Sequence, residues 1–156
     1  MIRQEKSDDQ TALLDLAVAT KLFQPDELGE LEGMLTDYFN GTLGDDQSWI
    51  VDDEGGVRGA AYYAPEMMSD GTWNLYFIGV HPDQQGQGRG TSLLNHVEQA
   101  LIAQGQRMLL VETSGLGRFE QTRAFYRKNG YDEEARIRDF YATGDDKILF
   151  RRVLTN

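Results

Sequence analysis

Residues 81–94, HPDQQGQGRGTSLL, set glycines at 86, 88 and 90 and then turn into an apolar pattern of helical period. Backbone N–H groups in a glycine-rich loop that opens a helix can converge on an anion, and the helix N-terminus adds partial positive charge. A Cβ would hold phosphate oxygens away from such a backbone, so this chemistry favours glycine. Three ligand-binding uses of the stretch compete. A Walker loop needs a lysine before its Ser or Thr, and no lysine is present here. A dinucleotide fingerprint, counted from Gly86 and Gly88, requires glycine where Thr91 stands, although Glu112 ends the next strand-like run as a ribose-binding carboxylate would. The third use is a pyrophosphate cradle, Gln85-x-x-Gly88-x-Gly90, with Arg89 supplying a cation. A glycine-rich turn that binds nothing is the remaining alternative.

The chain has 156 residues, 40% of them apolar, which suits one domain over residues 1–156. It has no cysteine, so disulfides, thiolate metal sites and a cysteine nucleophile are excluded. His81 and His96 lack metal-ligand spacing, and no metal is expected. No apolar run reaches the roughly 18 residues that span a bilayer. The start, MIRQEKSDDQ, is polar rather than signal-like, and the expectation is a cytoplasmic protein with no membrane partner. A net charge of −11 argues against nucleic acid, which needs a positive face. It leaves room for a cationic acceptor such as an amine, and equally serves solubility alone.

These residues need elements to position them. Residues 1–6 read as a short strand. Ser7 or Asp9 caps a helix whose stripe is Leu13, Leu14, Leu16 and Ala17. Pro25, Asp26 and Glu27 read as the first turn of a second helix, with Leu28, Leu31, Leu35, Tyr38 and Phe39 on its inner face and Asn40-Gly41 at its end. SWIVDDEGGVRGAAYYA reads as a hairpin turning at Glu54-Gly55-Gly56, and TWNLYFIGV (72–80) as a third strand. Leu93, Leu94, Val97 and Leu101 give one helix face. RMLLVET (107–113) reads as a strand buried on both faces, and RFEQTRAFYRKNGY (118–131) as a helix stopped by Asn129-Gly130. EEARIRDFY and DKILFRRVL close the chain as two strands around Gly144-Asp145-Asp146. The result is an α/β fold with a mixed central sheet and a parallel crossover across 72–113.

IGVHPDQQGQGRGTSLL followed by TRAFYRKNGY resembles the GNAT superfamily of acyl-CoA-dependent N-acyltransferases. Its pyrophosphate loop is Gln/Arg-x-x-Gly-x-Gly/Ala, and its second signature sets a Tyr shortly before Gly-Tyr/Phe. Both occur here in order, and the order of elements matches. The resemblance implies a single GNAT-like domain with splayed parallel strands at 72–80 and 107–113, flanked by helices. Acetyl-CoA would be the acyl donor, with its diphosphate held by Gln85, Gly86, Gln87, Gly88, Arg89, Gly90 and Thr91. Ile78, Gly79 and Val80 would turn backbone groups to the pantetheine arm, Gly79 marking a bulge or else a close contact with a neighbour. The Val80 N–H is the expected donor to the thioester oxygen.

The acceptor implied is a primary amine of a small molecule or peptide, attacking directly. Tyr126 falls where the family keeps its general acid. From an ordinary tyrosine, proton transfer to a thiolate is uphill by roughly 2 kcal/mol, so hydrogen bonding to the sulfur is the expected role. Some members carry a glutamate base where this chain has Asn74, which is left to position water or substrate. Glu112, Asp139 and Tyr76 are further candidate bases. Phe119 and Glu120 stand near the place of a CoA-binding asparagine in many members. Phe23, Tyr38, Trp49, Tyr62, Tyr63, Trp73 and Tyr141 supply aromatic material for a pocket or an ordinary core. Members of the family are often dimers, so the resemblance implies a homodimer, and the final strands could pair to form it. Two alternatives stay open: a non-catalytic acyl-CoA-binding module, motivated by Asn74, and a dinucleotide-binding module.

Overall fold

The apolar period changes from helical to alternating between residues 39 and 48, and the chain changes from helix to sheet there. The computed structural model describes residues 1–21, 27–39 and 48–154. Its elements are β1 (Ile2–Gln4), α1 (Gln10–Thr20), α2 (Leu28–Phe39), β2 (Ser48–Asp53), β3 (Val57–Pro65), β4 (Thr72–Val80), α3 (Arg89–Ala103), β5 (Met108–Ser114), α4 (Glu120–Lys128), β6 (Asp132–Ala142) and β7 (Asp145–Val153). This is the expected order. The seven strands follow one another as β1-β2-β3-β4-β5-β7-β6, a mixed sheet in an α/β fold. Two compact units share the chain, which passes from one to the other at the end of β3, within β4 and within α3.

The first unit comprises Met1–Ala64 and Phe77–Val97. Leu13, Leu16 and Ala17 of α1 and Leu31 and Leu35 of α2 pack with Trp49, Val51, Ala60, Tyr62, Ala64 and Phe77. Each large side chain so buried contributes about 1.5–3 kcal/mol. β2 pairs antiparallel with both β1 and β3. Arg3 donates to both carboxylate oxygens of Asp9, at 2.8 and 3.0 Å, and to Asp53 at 3.1 Å. Asp9 also accepts the Lys6 N–H at 2.8 Å; it stands at the N-cap position of α1 but makes no side-chain bond to that helix, so it braces the preceding turn Ser7–Asp9 rather than capping α1 as expected.

The second unit comprises Pro65–Tyr76 and Glu98–Asn156. β4 runs parallel to β5 from Thr72↔Met108 to Leu75↔Val111, and pairing stops there although both strands continue. β7 lies antiparallel between β5 and β6. Tyr126 of α4 packs on Phe150 and Tyr131, ring centroids 5.5 and 5.9 Å apart. The Tyr131 hydroxyl donates to Glu98 Oε2 at 2.6 Å, and Arg152 donates to the Asn129 carbonyl at 2.6 Å.

The differences from expectation are local. β5 is not buried on both faces: Leu109 and Val111 are buried whereas Met108, Leu110 and Glu112 are half-buried, because one face carries polar side chains. The helix over 118–131 is a short 3-10 turn, Gly117–Phe119, followed by α4. β6 is exposed at every position, as an edge strand can be. Phe23, Pro25, Asp26, Asn40 and Gly41 lie outside the described residues, as do the side chains of Leu28, Tyr38 and Phe39.

Candidate active site

After Val80 the chain makes a 3-10 turn, Pro82–Gln84, capped by the His81 ring, which accepts the Asp83 N–H at 3.2 Å. Gln85 then turns back, its side-chain amide donating to the Val80 carbonyl at 3.1 Å. Gly86 and Gly88 adopt φ of 77° and 81°, and a Cβ at either would meet no atom within 4 Å. Packing does not require glycine there; the left-handed backbone does, at about 1–2 kcal/mol for any other residue. The Ser92 N–H donates to the Gly88 carbonyl at 3.0 Å and begins the ladder of α3. Among the described residues no backbone carbonyl takes the amides of Gly86 to Thr91.

Arg89 is more committed than expected. Its Nη1 donates to Asp52 Oδ2 at 2.8 Å, which ties the loop to β2. Its Nε is buried with no acceptor among the described residues. A cavity of about 410 Å³ opens here, with Gln87, Gly88, Arg89, Asp52 and Met1 in its lining. The Met1 ammonium donates to Asp52 at 3.4 Å and Glu54 at 2.8 Å. Unengaged amides at a helix start and one orphaned guanidinium donor form a donor set that fits a diphosphate.

Gly79 meets the second of its two expectations. A Cβ would stand 2.7 Å from Phe77 Cζ and 3.0 Å from Thr20 Cγ2, so close contact excludes a side chain. Ile78 and Val80 on either side are half-buried.

In the second unit, Asn74 of β4 is 1% exposed, and its side-chain amide donates to Glu66 Oε1 at 2.7 Å and Glu112 Oε1 at 3.2 Å. Lys147 Nζ stands 3.0 Å from the same Glu112 oxygen and 4.1 Å from the centre of the Phe140 ring. The Tyr76 hydroxyl is pushed up by burial and then by the charges of Glu66 and Glu112. Burial, followed by Glu112 and Asp145, pushes Tyr141 up to about 12. Asn74 and Glu112, candidates far apart in sequence, therefore meet.

Tyr126 is buried, and burial pushes its hydroxyl well above the ordinary tyrosine range. Proton loss is thereby harder than the sequence suggests, which favours hydrogen-bond donation over full transfer. Asp139 serves its hairpin, accepting the Gly144 N–H at 2.8 Å, and is not assembled with the other candidate bases. Glu120 accepts from Arg123 at 2.8 Å and Arg127 at 3.2 Å, and Phe119 lies under Arg118. Trp49, Tyr62 and Tyr63 are buried at 1–4% exposure, as ordinary core residues are. His96 is exposed, and among the described residues no group of three or more His, Asp or Glu could hold a metal ion.

Sequence reasoning missed Glu66, Lys147, Asp52 and Arg123. Arg123 is buried and donates to the carbonyls of Ser114, at 2.6 Å, and Leu116, at 3.0 Å, fixing the turn between β5 and α4. Its place four residues after Phe119 on the inner face of α4 was the one available signal. Glu66 lies in a loop with no periodicity to mark it.

A glycine loop of unengaged amides thus follows a strand, β4, whose parallel pairing ends midway in a mixed α/β sheet. The family model described as the acetyltransferase (GNAT) domain matches residues 44–133, more than half of the chain, and the chain belongs to that family. It is an acetyltransferase. The chain is similar to a GNAT-family protein from Desulfovibrio desulfuricans, with 29% identity, 99% of each chain covered and a TM-score of 0.92. It shares its fold with the ribosomal-protein-S18-alanine N-acetyltransferase of Escherichia coli, at 21% identity, with 100% of this chain and 94% of that one covered and a TM-score of 0.79. A Salmonella typhimurium protein, in a structure with its cofactor acetyl-CoA, matches at 20% identity over 100% of this chain and 94% of its own, with a TM-score of 0.79. No curated protein matches. Among the described residues no helix is long and apolar enough to cross a membrane.

Proposed function

We propose that this acetyltransferase moves an acetyl group from acetyl-CoA to a primary amine of a small molecule or peptide by direct attack. The observation that carries this reading is the run of unengaged amides from Gly86 to Thr91 at the start of α3. The fold-level neighbour that holds acetyl-CoA and the one named as an alanine N-acetyltransferase support donor and acceptor class respectively.

Each residue then has a defined task. The amides of Gly86 to Thr91 and Arg89 Nε hold the diphosphate, with Gln85 setting the turn that presents them. Backbone groups of Ile78, Gly79 and Val80 bind the pantetheine arm, and the Val80 N–H donates to the thioester oxygen. The acceptor, bound as an ammonium, first gives one proton to bulk water; the freed amine nitrogen then forms the new C–N bond as the C–S bond breaks, and a second proton leaves the nitrogen for bulk water. Tyr126 donates a hydrogen bond to the departing sulfur. Glu112 and Asn74 orient the acceptor.

Calorimetry with acetyl-CoA together with thiol release across a panel of amines and peptide N-termini tests this reading. Binding and release are both expected. Binding without release from any amine would instead mark an acyl-CoA-binding module, and thermal stabilisation by NAD(H) but not CoA a dinucleotide module.

A further inference from the structure

The two carboxylates that meet at Asn74 do not carry equal charge balance. Glu112 is offset by Lys147 at 3.0 Å. Glu66 has the Asn74 amide as its polar partner at 2.7 Å, and among the described residues no cation pairs with it. Asn74 spends its NH2 group on these two oxygens, which fixes the orientation of the amide, since the reversed one would set its oxygen against them. The consequence is that Asn74 Oδ1 is buried without a partner. A buried carbonyl with nothing to accept from is destabilising, and a ligand with several N–H donors removes that penalty.

We propose that Glu66, Glu112 and the Asn74 carbonyl form a recognition site for the primary ammonium group of the acceptor, with Glu66 supplying the uncompensated charge. An alkylammonium carries three N–H donors, matching three acceptors of which one is orphaned. Asn74 is a positioning residue: it holds the two carboxylates on one side and offers its own oxygen. The substitution of an amide for the family's strand carboxylate is then not a loss of function, since Glu66, from the loop before β4, restores the negative charge. The assignment of this ligand as acceptor rests on the transferase reading above.

The test is titration of the isotope-labelled full chain with n-butylammonium, following the Asn74 side-chain amide resonance, with n-butanol as the uncharged control. Butylammonium is expected to shift that resonance saturably, and butanol to leave it unmoved. Glu66→Gln should weaken butylammonium binding at least about tenfold, and Glu66→Asp less so, while calorimetric affinity for acetyl-CoA stays within about twofold. Equal binding by Glu66→Gln, or an equal response to butanol, overturns the proposal. A chain that binds butylammonium through Glu66 yet ignores acetyl-CoA keeps the ammonium site and refutes the transferase reading. A chain that binds acetyl-CoA and ignores butylammonium does the reverse.

Discussion

In the proposed function the loop over residues 85–91 and the cluster around Asn74 recognise opposite charges by opposite means. The loop uses main-chain donors, and its side chains matter chiefly by their absence: Gly86 and Gly88 stand at positive φ with open space beyond them. The cluster uses side-chain acceptors brought from β4, β5 and the loop between β3 and β4, and its backbone is ordinary strand. Main-chain recognition is tied to a contiguous stretch, and side-chain recognition to tertiary folding. The two should therefore fail independently and under different substitutions.

The largest separation is expected from the double change Gly86→Ala and Gly88→Ala. Each imposes a left-handed alanine, and the loop must move its amides to relieve it. Affinity for acetyl-CoA should fall about a hundredfold by calorimetry, or about 2.7 kcal/mol. Butylammonium binding at Asn74 should stay at the native level. Native acetyl-CoA affinity in this variant would remove the cradle from the account.

Gly79→Ala comes next and asks whether that glycine serves packing or a ligand. Its Cβ would press on Phe77 and Thr20, and overpacking of this kind costs about 1–3 kcal/mol in denaturant unfolding. A variant of native stability that has lost turnover would shift the assignment from packing to backbone recognition.

Tyr126→Phe removes one hydroxyl from a site already walled by Phe125, Tyr131 and Phe150. Turnover should drop at least about tenfold, equivalent to about 1.4 kcal/mol in the barrier, with acetyl-CoA affinity near native. An unchanged rate would leave the ring with a packing role alone.

The same contrast explains what the sequence made legible. Gly86, Gly88 and Gly90 precede an apolar helix stripe within one short stretch, so spacing alone marked the loop as one that could cradle an anion, and alternation exposed nearly every strand. Glu66 and Lys147 carry no such mark: one sits in a loop and the other on a strand, and only the pairing of β4, β5 and β7 brings their partners within reach. β5 was misjudged as fully buried because Leu109, Leu110 and Val111 form an apolar run. Periodicity cannot show that the face of Leu110 also carries Glu112. Arg89 was legible as a cation but not as one tied to Asp52, a residue separated from it by the whole β3–β4 segment.

The smallest effect is expected at Asp9, which belongs to neither recognition region and so serves as their control. Its carboxyl is held below the usual range first by the hydrogen bonds from Arg3 and further by the Lys6 amide, against the opposing effect of burial. A depressed folded-state pKa means that the unfolded chain binds protons first as pH falls. The stabilisation is therefore present above the ordinary carboxylate value, about 3.9, and is lost as pH drops through the lower folded value. Asp9→Asn keeps an acceptor for the Lys6 N–H but loses the charge, and at pH 7 it should cost about 1 kcal/mol, given the partial exposure of the Arg3 pair. At about pH 3 the difference from the native chain should shrink, because protonation begins to remove the same charge from the native protein. Denaturant unfolding at both pH values checks the sign, and an equal loss at pH 7 and pH 3 would show that the side chain acts by shape rather than charge. Acetyl-CoA and butylammonium affinities should both remain native at pH 7. A change in either would mean that the N-terminal ion pair reaches the recognition regions, and their independence would no longer hold.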